Sequence, residues 1–149
     1  MALNIVLIEP EIPNNTGNIG RLALASGSHL HLVKPFGFTI DDSRLKRAGL
    51  DYWQHLSVTY YDNIEAFFKI NKDKKMAFLS SHGSKNHWDI PFEDDMFLVF
   101  GKESVGLPKP LLKTYEDQLF KIPLYSKHVR SLNLANAVSI IVYEGLKHI

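Results

Sequence analysis

The sequence predicts an α/β domain with a mostly parallel β-sheet and helices on both faces. Short apolar runs of strand length alternate with helical patterns along the chain, which is the order typical of such a sheet. The runs 76–80 and 96–100 are continuously apolar, as expected of central strands that are buried on both faces. Because the 149 residues contain no internal repeat, flexible linker or low-complexity tract, residues 1–149 are expected to form one domain.

Proline, asparagine and glycine residues mark the element boundaries in the first half of the chain. Pro10 and Pro13 follow the first apolar run and end it. Asn14 or Asn15 can cap the next helix, and Gly27 stands just past its end. In chain order, the expected elements are a strand at 3–8, a helix at 15–25, a strand at 30–33, a short basic helix at 41–47, a strand at 58–61 and a helix that Asp62 caps and that ends at Ile70.

The second half of the chain ends in its longest helical pattern. In chain order, the expected elements are strands at 76–80 and 96–100, a helix opened by Pro108, a strand at 120–124 and a helix at 131–148. Between Leu134 and Tyr143 the last helix is apolar on nearly every side, so it needs packing partners on every side. Those partners are either the core of the same domain or a second subunit.

Composition and charge narrow the class of protein. A hydrophobic fraction of 45%, with 9 Phe, 6 Tyr and 2 Trp, supplies ample material for a packed core. The absence of cysteine excludes a disulfide framework, a thiolate metal site and a cysteine nucleophile. No signal peptide and no apolar run of ~20 residues is present, which predicts a cytoplasmic protein with no membrane association. With a net charge of only +1, any nucleic acid must be bound by local clusters.

Three polar segments, the first two of which contain glycine, follow predicted strands, where ligands gather in open α/β sheets. In the first, 13–21, the side chains of Asn15, Asn18 and Arg21 are three residues apart and are expected near one helix face. Arg21 could hold a phosphate through two parallel hydrogen bonds. Helix capping by the asparagines together with a surface arginine is the alternative explanation.

The second segment, 101–108, places glycines on both sides of a Lys-Glu-Ser turn. Gly101 and Gly106 permit close approach of a ligand to the backbone, although a tight strand-to-helix turn would need the same residues. The third segment, 130–137, places Asn133 and Asn136 in the first turns of the apolar helix, where their amides require partners. An N-cap at Ser131 would account for only part of this pattern.

Other chemistries have little support in the sequence. The seven histidines have no carboxylate or thiol partner at metal-ligand spacing, so no metal site is expected. No G-x-S-x-G elbow is present, which argues against a hydrolase nucleophile. Two clusters of basic residues are interpreted either as solvent-exposed faces or as phosphate contacts. The first consists of Arg44, Lys46 and Arg47, and the second of Lys72, Lys74 and Lys75.

Taken together, the segments 9–21, 101–108 and 130–138 resemble the three ordered motifs of the SPOUT superfamily of RNA methyltransferases. Within that superfamily, the chain is similar to the minimal tRNA wobble-ribose methyltransferases of the YibK-like, or TrmL, type. The stretch 47–53 also resembles one typical of this subfamily, and the resemblance covers essentially the whole chain. Three motifs in the same order are far more specific than any one of them.

This resemblance implies a fold, a reaction and partners. The implied fold has a C-terminal deep trefoil knot, and the implied assembly is a homodimer. The implied reaction transfers a methyl group from S-adenosylmethionine to the ribose 2′-hydroxyl of the wobble nucleotide of tRNA, with leucine tRNAs as the expected substrates. The implied RNA contact is the anticodon stem-loop, bound through Arg44, Lys46 and Arg47.

The resemblance also assigns site residues. The implied cofactor-binding residues are Leu79, Gly101, Glu103, Ile122, Ser131, Leu132 and Asn136. Arg21 is implied as the main catalytic residue, with Asn15 and Asn133 orienting groups around it. Because arginine stays protonated, we interpret Arg21 as a phosphate-binding group that lowers the pKa of the hydroxyl rather than as a base.

Two alternatives remain open from the sequence. Some similar proteins carry an arginine where this chain has Val105, which leaves room for a ribose methyltransferase that acts on another tRNA or rRNA nucleotide. A non-catalytic RNA-binding module is the alternative from another functional class. A conventional nucleotide-binding enzyme is disfavoured, because residues 9–13 stand where its glycine-rich turn would be.

Overall fold

A parallel seven-stranded sheet forms the centre of the protein in the computed structural model, which describes residues 2–39, 43, 47 and 52–149. The strands are β1 (Asn4–Ile8), β2 (His29–Val33), β3 (Val58–Tyr61), β4 (Met76–Leu79), β5 (Lys85–Asn86), β6 (Phe97–Phe100) and β7 (Leu119–Lys121). Their order in the sheet is β3-β2-β1-β6-β4-β7-β5, and every pairing among them is parallel.

The strand order places a switch point beside β1. From β1 the chain adds β2 and then β3 on one side, whereas β6 and β4 lie on the other side. Because all strands are parallel, their carboxyl ends meet at one edge of the sheet. Ligands of open α/β sheets bind at such an edge beside the switch point.

Helices cover both faces of the sheet, as the sequence predicts. They are α1 (Pro13–Ala25), α2 (Ile64–Ile70), α3 (Lys109–Thr114) and α4 (Leu134–Leu146). On one face, α1 and α4 pack side by side over inward residues such as Ile5 and Leu98. On the other face, Phe67 of α2 and Leu111 of α3 pack against residues such as Val99. The predicted α/β class is therefore confirmed.

The structure corrects the predicted cap of α1. Its first residue is Pro13, and the N-cap position is Ile12, whose side chain makes no capping hydrogen bond. Neither Asn14 nor Asn15 is the cap, because proline suits the first helical position and starts the helix before them. The predicted role of Gly27 is confirmed, since it follows the helix with φ of +68°.

Three other boundaries differ from prediction. Asn63, rather than Asp62, caps α2, because the Asn63 carboxamide oxygen accepts a hydrogen bond of 2.7 Å from the Ala66 N–H. The last helix begins after Asn133 instead of at Ser131, because Asn133 supplies its cap. The last strand lies at 119–121 instead of 120–124. The predicted helix at 41–47 falls largely outside the described residues.

Helix α4 is covered on only part of its surface. Val138, Ile141 and Val142 are completely buried in the core beneath it, while Ile140 and Tyr143 are 39% and 51% exposed. The apolar residues on every side of this helix are therefore not all covered within one chain. Within the described residues, no helix is both long and apolar enough to span a bilayer.

A network of buried polar side chains lies on the face of the sheet that α2 and α3 cover, around His31 of β2. The two ring nitrogens of His31 lie 2.8 Å from the Tyr61 hydroxyl and 2.9 Å from the Asn4 carboxamide oxygen. The Asn71 amide donates to the same Tyr61 hydroxyl at 3.2 Å. Burial, together with the nearby His29, lowers the pKa of His31 from 6.5 to about 3. His31 is therefore neutral in the folded protein at neutral pH.

The buried neutral His31 makes stability depend on pH. Since its pKa is lower in the folded than in the unfolded state, its contribution is complete above pH 6.5 and is lost as the pH falls towards about 3. We expect urea denaturation between about pH 7 and pH 4 to show a steeper fall in unfolding free energy for the wild type than for His31→Gln, by up to about 1.4 kcal/mol per pH unit. Equal slopes would contradict this assignment.

Candidate active site

Two carboxylates join the segment before α1 to the turn after β6. Glu103 accepts hydrogen bonds from the backbone N–H groups of Glu11 at 2.9 Å and Ile12 at 3.0 Å. In return, the Glu11 carboxylate accepts a bond of 2.8 Å from the Ser104 N–H. We call these four residues the carboxylate clasp. It joins the carboxyl ends of β1 and β6, which are neighbours in the sheet.

The clasp supplies what the start of α1 lacks. A helix N-terminus carries free N–H groups and partial positive charge, which a carboxylate stabilises. Here Glu103, from a distant part of the chain, provides the negative charge that the Ile12 side chain cannot. The hydrogen bonds from Ser104 hold the pKa of Glu11 below its usual range. The Glu11 carboxylate is thus bound in its charged form.

Asn15 extends the clasp to the last helix. Its amide donates to Glu103 at 3.2 Å, and its carboxamide oxygen accepts from the Asn133 amide at 3.1 Å. Asn133 in turn caps α4 by accepting from the N–H groups of Ala135 and Asn136 at 2.9 and 3.3 Å. One series of hydrogen bonds therefore connects the segments 13–21, 101–108 and 130–137.

The turn after β6 closes tightly on itself. Lys102 and Gly106 exchange two backbone hydrogen bonds, of 3.3 and 2.9 Å. Gly106 has φ of +73°, which favours glycine. A Cβ atom on Gly101 would lie 2.1 Å from the Gly106 carbonyl carbon, so no larger residue fits at position 101. Both glycines are therefore required by the turn itself.

A groove opens beside this turn at the carboxyl edge of the sheet. It consists of two adjoining cavities of about 120 and 540 Å³, whose linings share Ser131 and Leu132. The smaller cavity is mainly apolar and is lined by Leu79, Phe120, Ile122 and Leu124. The larger cavity is more polar and is lined by Asn15, Gly101, Glu103 and Asn133. The groove can therefore receive a ligand with one apolar and one polar end.

Most predicted cofactor-binding residues line this groove. Leu79, Ile122, Ser131 and Leu132 line the smaller cavity, and Gly101, Glu103, Ser131 and Leu132 line the larger one. Asn136 lies outside both linings and is exposed on α4. Glu103 lines the groove, but its carboxylate already accepts three hydrogen bonds from the protein. Its contribution in the structure is to shape the groove wall.

Arg21 lies apart from the asparagines with which it was grouped. Asn15 is only 7% exposed and faces inward, whereas Asn18 and Arg21 are exposed. The expectation of one shared face is wrong, because six residues of helix rotate Arg21 by about 120° from Asn15 and move it about 9 Å along the axis. The Arg21 guanidinium instead lies over the Tyr52 ring, 4.9 Å from its centroid.

Among the predicted RNA-binding residues, Arg47 is exposed, whereas Arg44 and Lys46 lie outside the described residues. Glu11 and Tyr52, for which no role was predicted, contact Ser104 and Arg21, respectively. No local pattern could have identified these contacts, since each joins separate segments.

Within the described part of the chain, no three histidine, aspartate or glutamate side chains are grouped so as to hold a metal ion.

Comparison with known proteins identifies the family. The model of the SpoU rRNA Methylase family matches residues 2–143. The chain belongs to this family. A tRNA (cytidine(34)-2′-O)-methyltransferase of Escherichia coli strain K12 is 43% identical over 148 residues, which is 99% of this chain and 94% of the relative.

Solved structures of SpoU-type enzymes share the fold. One, from work on the 2-OH methylation of C/U34 on tRNA, has a TM-score of 0.93 and 40% identity, with 98% of this chain and 95% of the other covered. Another, an AdoMet-bound rRNA methyltransferase from Sinorhizobium meliloti, has a TM-score of 0.88 and 25% identity. It matches 99% of this chain but 56% of its own length.

Removing the Glu103 carboxylate tests the clasp. Glu103→Ala leaves the N–H groups of Glu11 and Ile12 without their acceptor, so we expect a loss of about 2–3 kcal/mol in unfolding free energy, measured by urea denaturation. The control Glu116→Ala, at an exposed glutamate, should change it by less than about 0.5 kcal/mol. Equal effects of the two substitutions would show that the clasp does not stabilise the fold.

Proposed function

We propose that this SpoU-family protein methylates the ribose 2′-hydroxyl of the wobble nucleotide, position 34, of tRNA, with S-adenosylmethionine as the methyl donor. The proposal is supported by the E. coli relative, whose name states 2′-O-methylation of cytidine 34 of tRNA and which is matched over 94% of its length. The structural observation that carries it is the chain of hydrogen bonds from Glu103 through Asn15 to Asn133 at the polar end of the groove.

The groove suits an amphipathic cofactor. Apolar side chains such as Leu79 and Ile122 fit the adenine ring, while polar groups around Ser131 and Asn133 fit the charged amino-acid end. The closed turn at Gly101 fixes the position of the groove wall, to which Glu103 contributes. When bound, S-adenosylmethionine supplies an electrophilic methyl group to the reaction.

The protein must position the ribose and assist the loss of one proton. Asn15 and Asn133 hold each other and provide a rigid polar wall for the target. Arg21 is exposed and charged, so it binds a phosphate of the RNA and lowers the pKa of the hydroxyl by its positive charge. A phosphate oxygen or water then takes the proton, since arginine itself is not a base.

The proposed enzyme is a homodimer that binds the anticodon stem-loop. The exposed side of α4 carries Ile140 and Tyr143, and α4 packs beside α1, whose exposed side carries Arg21. Pairing of two copies there would cover these apolar residues. The deep trefoil knot, the cytoplasmic location and the choice of leucine tRNAs stay predictions.

Methyl transfer from labelled S-adenosylmethionine to tRNA from cells that lack this protein tests the reaction. We expect the label in a 2′-O-methylated wobble nucleotide, and a label elsewhere would refute the proposed substrate.

Arg21→Ala and Arg21→Lys should each lower kcat/KM by about 100-fold. Alanine removes the charge, and lysine keeps the charge but loses the paired hydrogen bonds. Cofactor binding and the control Lys113→Ala should be unaffected, and full turnover by Arg21→Ala would refute the role of Arg21.

Charge placed on the exposed side of α4 tests the dimer. Tyr143→Glu puts a carboxylate into the proposed apolar contact, so we expect the dimer dissociation constant to rise by at least about 30-fold, as measured by sedimentation equilibrium. The control Ile70→Glu alters a residue that is 68% exposed on α2, on the opposite face of the sheet, and should leave the dimer intact. Equal dissociation of both variants would exclude α4 as the interface.

A further inference from the structure

Three aromatic side chains form a surface that the catalytic assignment does not use. Phe36 and Phe38 come just after β2, and Tyr60 lies near the end of β3. The Phe36 and Phe38 rings are stacked, with centroids 5.6 Å apart and planes 14° from parallel, and Tyr60 lies 6.5 Å from Phe36. We call these three residues the aromatic strip. Phe36 packs against the core, whereas Tyr60 is 42% exposed and Phe38 is half-buried.

A continuous series of contacts connects the aromatic strip to Arg21. Trp53 packs so closely on α1 that a Cβ atom on Gly20 would lie 2.7 Å from its ring. Its neighbour Tyr52 lies under the Arg21 guanidinium. Burial raises the pKa of Tyr60, and the neighbouring Trp53 side chain opposes that rise. Arg21 and the strip therefore belong to one surface.

The strip, the clasp and the groove lie in a row along the carboxyl edge of the sheet. The strip is at β3 and β2, the clasp joins β1 to β6, and the smaller cavity lies by β4 and β7. Since neighbouring strands are about 4.8 Å apart, β2 and β6 are separated by about 10 Å. A nucleotide adjacent to one held at the clasp can reach the strip.

We propose that the aromatic strip stacks an unpaired base of the RNA next to the methylated nucleotide, so that it positions the loop for reaction. Proteins recognise unpaired RNA by stacking bases on aromatic side chains, and cations beside them hold the backbone. Such cations are provided by Arg21, which lies over Tyr52, and by the exposed Lys34, which is two residues before Phe36. These flanking charges favour a nucleic acid over a second protein surface, and the proposal rests on the proposed RNA substrate.

Fluorescence of a base analogue tests the stacking directly. Two anticodon stem-loop RNAs are compared, one with 2-aminopurine on the 5′ side of nucleotide 34 and one with it on the 3′ side. The wild-type protein should quench the 2-aminopurine emission of one of the two RNAs. Phe38→Ala and Tyr60→Ala should abolish the quenching and raise KM for tRNA about tenfold or more, with kcat and cofactor affinity little changed. Tyr60→Phe should retain the quenching and the KM of the wild type, because it keeps the aromatic ring.

The exposed aromatic residue Trp88 provides the matched control. It is 49% exposed outside the strip, so Trp88→Ala should keep the quenching and KM of the wild type. Unchanged quenching and KM in both strip variants would overturn the proposal. Dissociation of the dimer in those variants, measured by sedimentation, would also overturn it by showing that a second copy covers the strip. Mapping the methylated nucleotide in the wild type tests the proposed function separately, because that readout does not depend on the strip.

Discussion

The site depends on one carboxylate, that of Glu103. It accepts from two backbone N–H groups at the start of α1 and from the Asn15 side chain. Hydrogen bonds to a charged acceptor are stronger than neutral ones, and the positive end of a helix adds to the attraction. The carboxylate therefore holds α1 and the turn after β6 in one arrangement. Because Asn15 also hydrogen-bonds to Asn133, the start of α4 is held in the same arrangement. The polar groove wall is a consequence of these bonds.

The site can assemble only after most of the sheet has formed. The bond from Asn15 to Glu103 spans 88 residues, and the bond from Asn133 to Asn15 spans 118. Neither pair meets until β1 and β6 are adjacent and α4 has packed beside α1. Contacts of such separation are costly in chain entropy and form late. The stability of the fold and the preorganisation of the site are therefore coupled, and removal of the Glu103 carboxylate affects both.

Local patterns in the sequence predicted the elements but not their connections. The apolar runs identified the central strands, and the glycines identified the tight turn at Gly101, because both signals depend on neighbouring residues. The cap of α1 could not be predicted, since its acceptor, Glu103, is distant in sequence. Asn133 was recognised as needing a partner, but only the packed structure shows that it is Asn15. The positions of Arg21 and Tyr52 likewise depend on tertiary packing.

The separation of Asn15 and Arg21 on one helix has a physical reason. A group that shapes the groove must be immobile, and Asn15 achieves this because it is buried and bonded on both sides. The phosphate contact proposed for Arg21 requires that its side chain stay accessible to a large substrate. Arg21 is exposed on another side of the same helix, where its guanidinium lies over the Tyr52 ring. Helix α1 is thus a rigid spacer between the groove and the proposed phosphate-binding position. Any rotation of α1 would displace both groups at once, which explains why its start is held by a charged acceptor.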